Sequence, residues 1–152
     1  MKKKITVAIA GLGSRGKDTY AKAAKLFADI RIRIGRDQTG NFRQDLFFGK
    51  GKRSNLSVFN FFAADSLLRE KRLADVLFIC TMDRQHYGHA VPALKKGYHL
   101  LLEKPVSPVL AECLEIEETA KKYGRHVVVC HVLRYTPFYQ ELKRLINVGT
   151  IG

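Results

Sequence analysis

The sequence has few of the features that mark an exported, membrane-spanning or disulfide-stabilised protein. No apolar run approaches the roughly 20 residues that a membrane-spanning helix needs. The three cysteines, Cys80, Cys113 and Cys130, are odd in number and lie far apart in apolar surroundings. This pattern is typical of reduced thiols and not of a disulfide framework or a zinc site. We therefore expect a soluble, cytoplasmic protein with no metal site and no membrane partner.

Acidic residues are also scarce. The chain has 14 Asp and Glu against 27 Lys and Arg, which gives a formal net charge of +13. Such a balance favours anionic partners, nucleic acids among them. However, the basic residues are scattered through every segment, and no helical stretch carries a dense basic stripe with interleaved aromatics. We interpret the charge as solvated surface charge that also attracts a phosphate-bearing cofactor, and expect no nucleic-acid partner. A basic nucleic-acid-binding module remains the alternative.

The stretch from Ile5 to Gly16 combines a buried strand with a glycine turn. Ile5–Ala10 is a near-continuous apolar run of strand length. Gly11, Gly13 and Gly16 then follow the spacing G-x-G-x-x-G, and a helical pattern begins at Lys17. In this context the first glycine allows a tight turn, the second lets the backbone approach a pyrophosphate, and the third lets the helix pack on the strand. The motif predicts a dinucleotide site at the start of the helix; a turn that binds nothing is the alternative.

Strands alternate with helices along the whole chain of 152 residues, and no repeat or low-complexity tract interrupts them. The predicted strands cover residues 5–10, 30–34, 76–80, 99–102 and 127–130. The predicted helices cover 17–28, 63–71, 83–96 and 109–123, with a last one after Thr136. This alternation predicts an α/β fold with a doubly wound parallel sheet in three layers, a Rossmann fold, as a single domain over residues 1–152.

Three local expectations accompany this fold. The strand 30–34 alternates isoleucine with arginine, so we place it at or near a sheet edge. Asp83 is positioned to cap the helix that runs to Lys96. Thr136 is positioned to cap the last helix, with Pro137 at its first position. The predicted buried face of that last helix consists of Phe138, Leu142, Leu145 and Ile146.

Glu103, Lys104 and Pro105 directly follow a buried strand, so they lie at the carboxyl edge of the predicted sheet. Ligands of open α/β sheets bind at this edge, near the point where the strand order reverses. The ammonium of Lys104 can hydrogen-bond a ribose or substrate hydroxyl there. The alternative is a surface ion pair between Glu103 and Lys104.

Four motifs, in this order, resemble the amino-terminal half of the Gfo/Idh/MocA oxidoreductases. They are Gly-Leu-Gly-Ser-Arg-Gly at 11–16, Cys-Thr-Met-Asp-Arg-Gln-His-Tyr at 80–87, Gly-Tyr-His-Leu-Leu-Leu-Glu-Lys-Pro at 97–105 and His-Val-Leu-Arg-Tyr-Thr-Pro at 131–137. The resemblance covers residues 1–29 and 63–152. It implies an NAD- or NADP-dependent enzyme that acts on CH–OH groups of sugars, inositols or similar polyols. A glycosidase branch with retained NAD is a second enzymatic possibility.

The resemblance also implies roles for particular residues. Lys104 would be the catalytic residue and would reach the reacting hydroxyl, while Arg134 would lie near the substrate. The implied pyrophosphate contacts are Gly11, Gly13, Ser14, Arg15 and Gly16. The residues implied at the cofactor's ribose and nicotinamide side are Thr81, Asp83, His86, Glu103 and Lys104. Taken from the residues alone, His86 is an ordinary polar residue in the first turn of a helix and Arg134 a surface charge.

Three departures from the family pattern limit these expectations. Where the family usually ends its second strand with an acidic residue, this chain has Arg36 and Asp37, which leaves NADP and NAD both open. Residues 30–62 do not resemble the family, through divergence or a reading-frame error. We also expect this chain to lack the second domain of the family, which carries the acid–base histidine. We therefore expect cofactor binding without turnover, and a homo-oligomer formed through the bare apolar face. A non-catalytic dinucleotide-sensing module is the rival interpretation.

Overall fold

The computed structural model describes residues 5–11, 13–24, 30–34, 57–58 and 64–151, and within them six strands form one parallel sheet. In chain order the strands are β1 (Ile5–Ala10), β2 (Ile30–Ile34), β3 (Ser57–Val58), β4 (Val76–Ile79), β5 (His99–Leu102) and β6 (Val127–Val129). Their spatial order is β3-β2-β1-β4-β5-β6. This is the strand order of a dinucleotide-binding Rossmann fold. The predicted fold class is confirmed.

Helices connect the strands on the outside of the sheet. The first, α1, begins with π-helical turns at Ser14–Ala21 and continues as the α-helical turn Lys22–Ala24. The others are α2 (Ala64–Arg69), α3 (His86–Lys95), α4 (Leu110–Lys122) and α5 (Pro137–Asn147). Short 3₁₀ turns at Asp83–Gln85 and Val132–Tyr135 precede α3 and α5. None of the helices in the described ranges has the length and apolarity that crossing a bilayer demands.

The core lies between the central strands and the helices that cover them. Every residue from Val7 to Ala10 of β1 is buried, as a strand covered on both faces requires, whereas the buried Leu77 of β4 and Leu102 of β5 alternate with half-buried residues. Tyr98 is also fully buried, and its hydroxyl accepts a hydrogen bond from the Leu73 backbone N–H at 2.8 Å. A buried phenol needs such a partner, so this contact fixes the chain on the amino-terminal side of β5.

The strands β1, β4, β5 and β6 end at one edge, because each exit residue is bonded to the strand before it in the sheet. The N–H of Cys80 donates to the Ala10 carbonyl (2.8 Å), that of Glu103 to Ile79 (3.0 Å) and that of Cys130 to Leu102 (2.9 Å). The strand order reverses between β1 and β4. This carboxyl edge beside β1 and β4 is therefore the place where the fold forms a crevice.

The strand β2 lies one position in from the edge. It pairs with β1 on one side and with the two-residue strand β3 on the other, so the prediction of a position near the edge is confirmed. Residues 30–62, which the motif comparison set apart, thus contribute two strands of the sheet. Arg36 and Asp37 lie outside the described residues.

The prediction that Asp83 caps a helix is wrong. Asp83 is the first residue of the 3₁₀ turn, and α3 begins later, at His86. The residue before the turn is Met82, whose N–H donates to Oε1 of Gln85 (3.2 Å) and whose carbonyl accepts from the Gln85 N–H (2.8 Å). The longer amide side chain of Gln85 reaches back to the start of the turn, and this replaces a cap by Asp83.

The last helix begins as predicted, but its predicted buried face is only half-buried at Leu142 and Leu145 and exposed at Phe138 and Ile146. Thr136 precedes α5 and Pro137 is its first residue, although the Thr136 hydroxyl donates backward to the Leu133 carbonyl (3.0 Å). All of α5 lies in the described part of the chain, and none of its residues is buried. Phe138 is 70% and Ile146 53% exposed. An amphipathic pattern shows that a face is suited to burial, but it does not supply the surface that covers it.

Candidate cofactor site

The glycine turn packs tightly against the sheet at two of its three glycines. Gly11 has a φ of +88°, and a Cβ there would lie 2.5 Å from the Cys80 carbonyl oxygen. Gly16 is buried, and a Cβ there would lie 1.9 Å from the carbonyl oxygen of Gly11. Both distances are far below van der Waals contact, and the positive φ is a region that favours glycine. The turn and the start of α1 therefore approach β1 and β4 closely only because side chains are missing.

The middle glycine has a different environment. Apart from Gly13 itself and its two chain neighbours, no heavy atom of the described residues lies within 4 Å of a Cβ built on Gly13, and the residue is exposed. Its φ of −67° and ψ of −169° are extended backbone that any residue adopts. Gly13 immediately precedes α1, so its open side adjoins the first N–H groups of that helix. Such a helix start is suited to hold an anion.

Two side chains of α1 reach the exit of β5. The Tyr20 hydroxyl donates to Oε1 of Glu103 at 2.5 Å, and Arg15 Nε lies 4.0 Å from the same oxygen. The other carboxylate oxygen of Glu103 accepts the backbone N–H of Lys104 (3.1 Å). Glu103 is only 8% exposed, so these contacts compensate a buried charge. The carboxylate thereby joins α1 to the loop that carries Lys104.

Burial keeps the hydroxyl and thiols around Glu103 protonated. Desolvation, with smaller contributions from Cys130 and Glu103, raises the pKa of Tyr20. Desolvation, with the charges of Glu103 and Cys130, also raises the pKa of Cys80 to about 12. The pKa of Cys130 is raised, first by burial. All three cysteines are free, as predicted, and the two beside Glu103 lack the thiolate character of reactive cysteines.

His86 connects the loops after β4 and β5. Its ring is fully buried, with Nδ1 2.7 Å from the Pro105 carbonyl oxygen and Nε2 3.2 Å from that of Thr81. The Lys104–Pro105 peptide bond at the far end of this contact is cis. His86 is the first residue of α3, as the first-turn interpretation expects, but its buried ring also contacts both loops.

A second buried histidine, His89, was not among the predicted site residues. Its Nδ1 lies 3.0 Å from the Thr81 hydroxyl, and its Nε2 lies 3.4 Å from Oδ1 of Asp65 on α2. The signal in the sequence is its spacing: His89 follows His86 by three residues, and residues three apart share a face of a helix. Burial lowers the pKa of His89, while the charge of Asp65 opposes this shift.

The structure brings most of the predicted residues to the carboxyl edge. Gly11, Gly13 and Gly16 lie after β1, Thr81 after β4, and Glu103 with exposed Lys104 after β5. Ser14, Arg15, Asp83 and Arg134 lie at exposed positions, the last in the 3₁₀ turn before α5. Among the described residues no group of His, Cys, Asp and Glu is arranged to hold a metal ion.

Residues 5–131 match the family model of Gfo/Idh/MocA, which is described as an oxidoreductase family with an NAD-binding Rossmann fold. The chain belongs to this family. The matched range includes residues 30–62, so the family model extends beyond the four motifs that carried the resemblance. The cofactor of a Gfo/Idh/MocA Rossmann domain such as this is NAD or NADP.

Individual relatives are similar over different parts of the chain. It is 27% identical over 148 residues to an inositol 2-dehydrogenase/D-chiro-inositol 3-dehydrogenase of Lactiplantibacillus plantarum, which covers 96% of this chain and 41% of that protein. It is 31% identical over 78 residues to a D-glucoside 3-dehydrogenase of Escherichia coli, a match that covers 51% of this chain and 22% of that protein. Among solved structures, that of yvaA from Bacillus subtilis, described as an oxidoreductase, superposes with a TM-score of 0.77 at 20% identity. The match covers 99% of this chain and 41% of that one. The chain thus spans about two fifths or less of the length of these relatives.

Proposed function

We propose that this chain binds NAD or NADP as the cofactor-binding part of an oxidoreductase that acts on a CH–OH group of a polyol or sugar. The observation that carries the proposal is the open side of Gly13. A glycine that neither packing nor its own φ requires is explained by a ligand that approaches its backbone.

The pyrophosphate would lie against the first N–H groups of α1. Ser14 adds a hydroxyl at this position, and Arg15 adds a positive charge whose side chain is 54% exposed. The open face of Gly13 keeps the backbone accessible, while Gly11 and Gly16 fix its position. Charge-assisted hydrogen bonds from the arginine and the aligned N–H groups favour a diphosphate over a neutral ligand.

The nicotinamide ribose would lie along the exits of β4 and β5, near Thr81, Glu103 and Lys104. Lys104 is exposed near the start of the loop after β5, which His86 and Glu103 hold in place, so its ammonium is accessible to a ribose or substrate hydroxyl. The bound cofactor supplies hydride transfer. Lys104 orients the hydroxyl that is oxidised, and Arg134 would contribute a positive charge near the substrate.

The substrate class follows from the relatives. The inositol and glucoside dehydrogenases named above act, by their names, on a polyol and a sugar derivative. Because the chain spans 41% of the first relative and 22% of the second, we propose that turnover needs parts of those proteins that this chain does not match. On its own it would bind cofactor without oxidising a polyol. Arg36 and Asp37 remain the candidates that choose between NADP and NAD.

Calorimetric titration of the chain with NAD⁺ and with NADP⁺ tests the proposal. We expect saturable 1:1 binding of at least one of them, with competition between the two. A nucleic-acid-binding module would instead bind an oligonucleotide with an affinity that falls steeply with salt. Binding of an oligonucleotide and of neither dinucleotide would contradict the proposal.

We also propose that the chain self-associates through the apolar face of α5 and the turn before it. Tyr135, Phe138 and Ile146 are large apolar or aromatic residues that are more than half exposed. A cluster of this kind is typical of an interaction surface. Light scattering should show a mass that rises with concentration, and Phe138→Ser should reduce it. A monomer at every concentration would contradict this assignment.

A further inference from the structure

The buried histidine His89 is part of a chain of polar contacts that ends at the candidate site. It begins at Asp65 on α2, passes through His89 on α3 and ends at the hydroxyl of Thr81, the second residue after β4. His89 is 5% exposed, and Thr81 is half-buried at the carboxyl edge. A polar ring buried in a helix face needs partners for both nitrogens: Thr81 hydrogen-bonds Nδ1, and the carboxylate of Asp65, 71% exposed, lies 3.4 Å from Nε2.

The chemistry of the two partners determines the direction of the hydrogen bonds. An ionised carboxylate only accepts, so Asp65 favours the neutral tautomer of His89 that carries its proton on Nε2. Nδ1 then carries no proton, and its lone pair faces the Thr81 hydroxyl at 3.0 Å. In this contact Nδ1 can only accept a hydrogen bond. The hydroxyl of Thr81 must therefore donate its proton toward the interior.

We propose that Asp65 and His89 act as positioning residues that fix the Thr81 hydroxyl with its proton inward, so that it presents only acceptor lone pairs to the cofactor. This inference rests on the proposed function. The group that Thr81 recognises is then a hydrogen-bond donor of the nicotinamide half, either a ribose hydroxyl or the carboxamide NH₂. A threonine without this relay would rotate and select neither donor nor acceptor.

Protonation of His89 reverses the contact. The imidazolium would donate from Nδ1 to the Thr81 oxygen and so remove an acceptor from the site. The titratable groups that act on the ring are Asp65 from α2 and His86 from α3 itself. Burial lowers the pKa of His89 below its ordinary value of about 6.5. The contact should therefore reverse only in solutions more acidic than about pH 6.5.

The tautomer can be measured without any ligand. Nitrogen-15 NMR of the histidine-labelled chain above neutral pH should show His89 protonated on Nε2, with the assignment made by comparison with the His89→Asn variant. A ring protonated on Nδ1 would overturn the relay. This result does not depend on whether the chain binds a dinucleotide.

The effect on binding is measured by titrating NAD⁺ and, as a probe without the nicotinamide half, ADP. His89→Leu should weaken NAD⁺ about three- to tenfold, the size of one hydrogen bond, and leave ADP unchanged. His89→Asn, whose amide oxygen can replace Nδ1 as acceptor, should restore most of the affinity. Thr81→Val should cause the same loss as His89→Leu, and the double variant should lose no more than either one.

The outcomes separate the two proposals. If the wild type binds neither NAD⁺, NADP⁺ nor ADP, the proposed function is contradicted, while the tautomer still decides whether the relay exists. If NAD⁺ binds equally well to the wild type and to His89→Leu, the relay does not act on the cofactor and the proposed function stands. Equal losses for NAD⁺ and ADP would show a structural role for His89 and overturn this inference.

Discussion

Gly11 and Gly16 face neighbouring protein atoms, whereas Gly13 faces open space, although the three belong to one G-x-G-x-x-G turn. A Cβ on Gly11 or Gly16 would lie 2.5 Å or less from a carbonyl oxygen, and a Cβ on Gly13 would meet no heavy atom of the described residues within 4 Å beyond its chain neighbours. The fold therefore requires two of these glycines, and we propose that the third is there for a ligand. The same residue type in one motif has two physical causes, and substitutions can separate them.

The largest effect should come from adding a methyl group at the packed glycines. Gly16→Ala would place its Cβ 1.9 Å from the Gly11 carbonyl oxygen, so backbone must move. We expect a loss of about 3 kcal/mol or more in the free energy of unfolding, at the upper end for single substitutions. Gly11→Ala combines a contact of 2.5 Å with a φ of +88° and should lose a similar amount. Urea denaturation measures both, and wild-type stability in either variant would contradict the packing.

The next effect concerns binding alone, at the exposed side of the site. Lys104 is exposed, so removing its ammonium in Lys104→Met should leave the free energy of unfolding unchanged. NAD⁺ affinity should fall about tenfold, as for a hydrogen bond from a charged donor, and ADP affinity should stay the same. Lys95→Met, an exposed lysine near the end of α3, is the matched control. An equal loss for both variants would show only an effect of net charge.

A smaller effect should appear in the dependence of stability on pH. The pKa values of His89 and His99 are lowered, in both cases first by burial; His126, Arg125 and Arg72 add to the shift at His99. The unfolded chain therefore binds more protons than the fold, and stability should fall as pH decreases below about 6.5. Replacing His89 by Asn should flatten this slope in thermal unfolding between about pH 7 and pH 5. His131→Asn, at an exposed position, should leave it unchanged; a slope unaffected by His89→Asn would argue against the shift.

The fold could be predicted from the sequence because its signals are local. The apolar runs of β1, β4 and β5 and the glycine turn need no partner to be recognised, and the motif at 103–105 marks the carboxyl edge by its position after a strand. The strand β2 was also placed correctly, next to the edge, from its alternating arginines.

The parts that were missed depend on contacts between distant segments. The periodicity of α3 indicates which face is buried, but the burial of His89 depends on Asp65 from another helix. The cap expected from Asp83 was displaced by Gln85, whose longer side chain reaches the start of the turn. In α5 the apolar face was identified correctly, but nothing in its own residues says which surface covers it.

The most direct test of the central claim compares Gly13→Ala with Gly88→Ala. Beyond the chain neighbours and the backbone of the residue's own helix, a Cβ at either position meets no heavy atom of the described residues within 4 Å, and neither glycine has a positive φ. Gly88→Ala should be at least as stable as the wild type, whereas Gly13→Ala should lose up to about 1 kcal/mol, because Gly13 precedes α1 and alanine is a poorer residue than glycine at a helix start. Calorimetric titration should then show NAD⁺ or NADP⁺ binding weakened about tenfold or more in Gly13→Ala, because a methyl group blocks the approach of the pyrophosphate. Binding should be unchanged in Gly88→Ala, and wild-type affinity in Gly13→Ala would contradict the account.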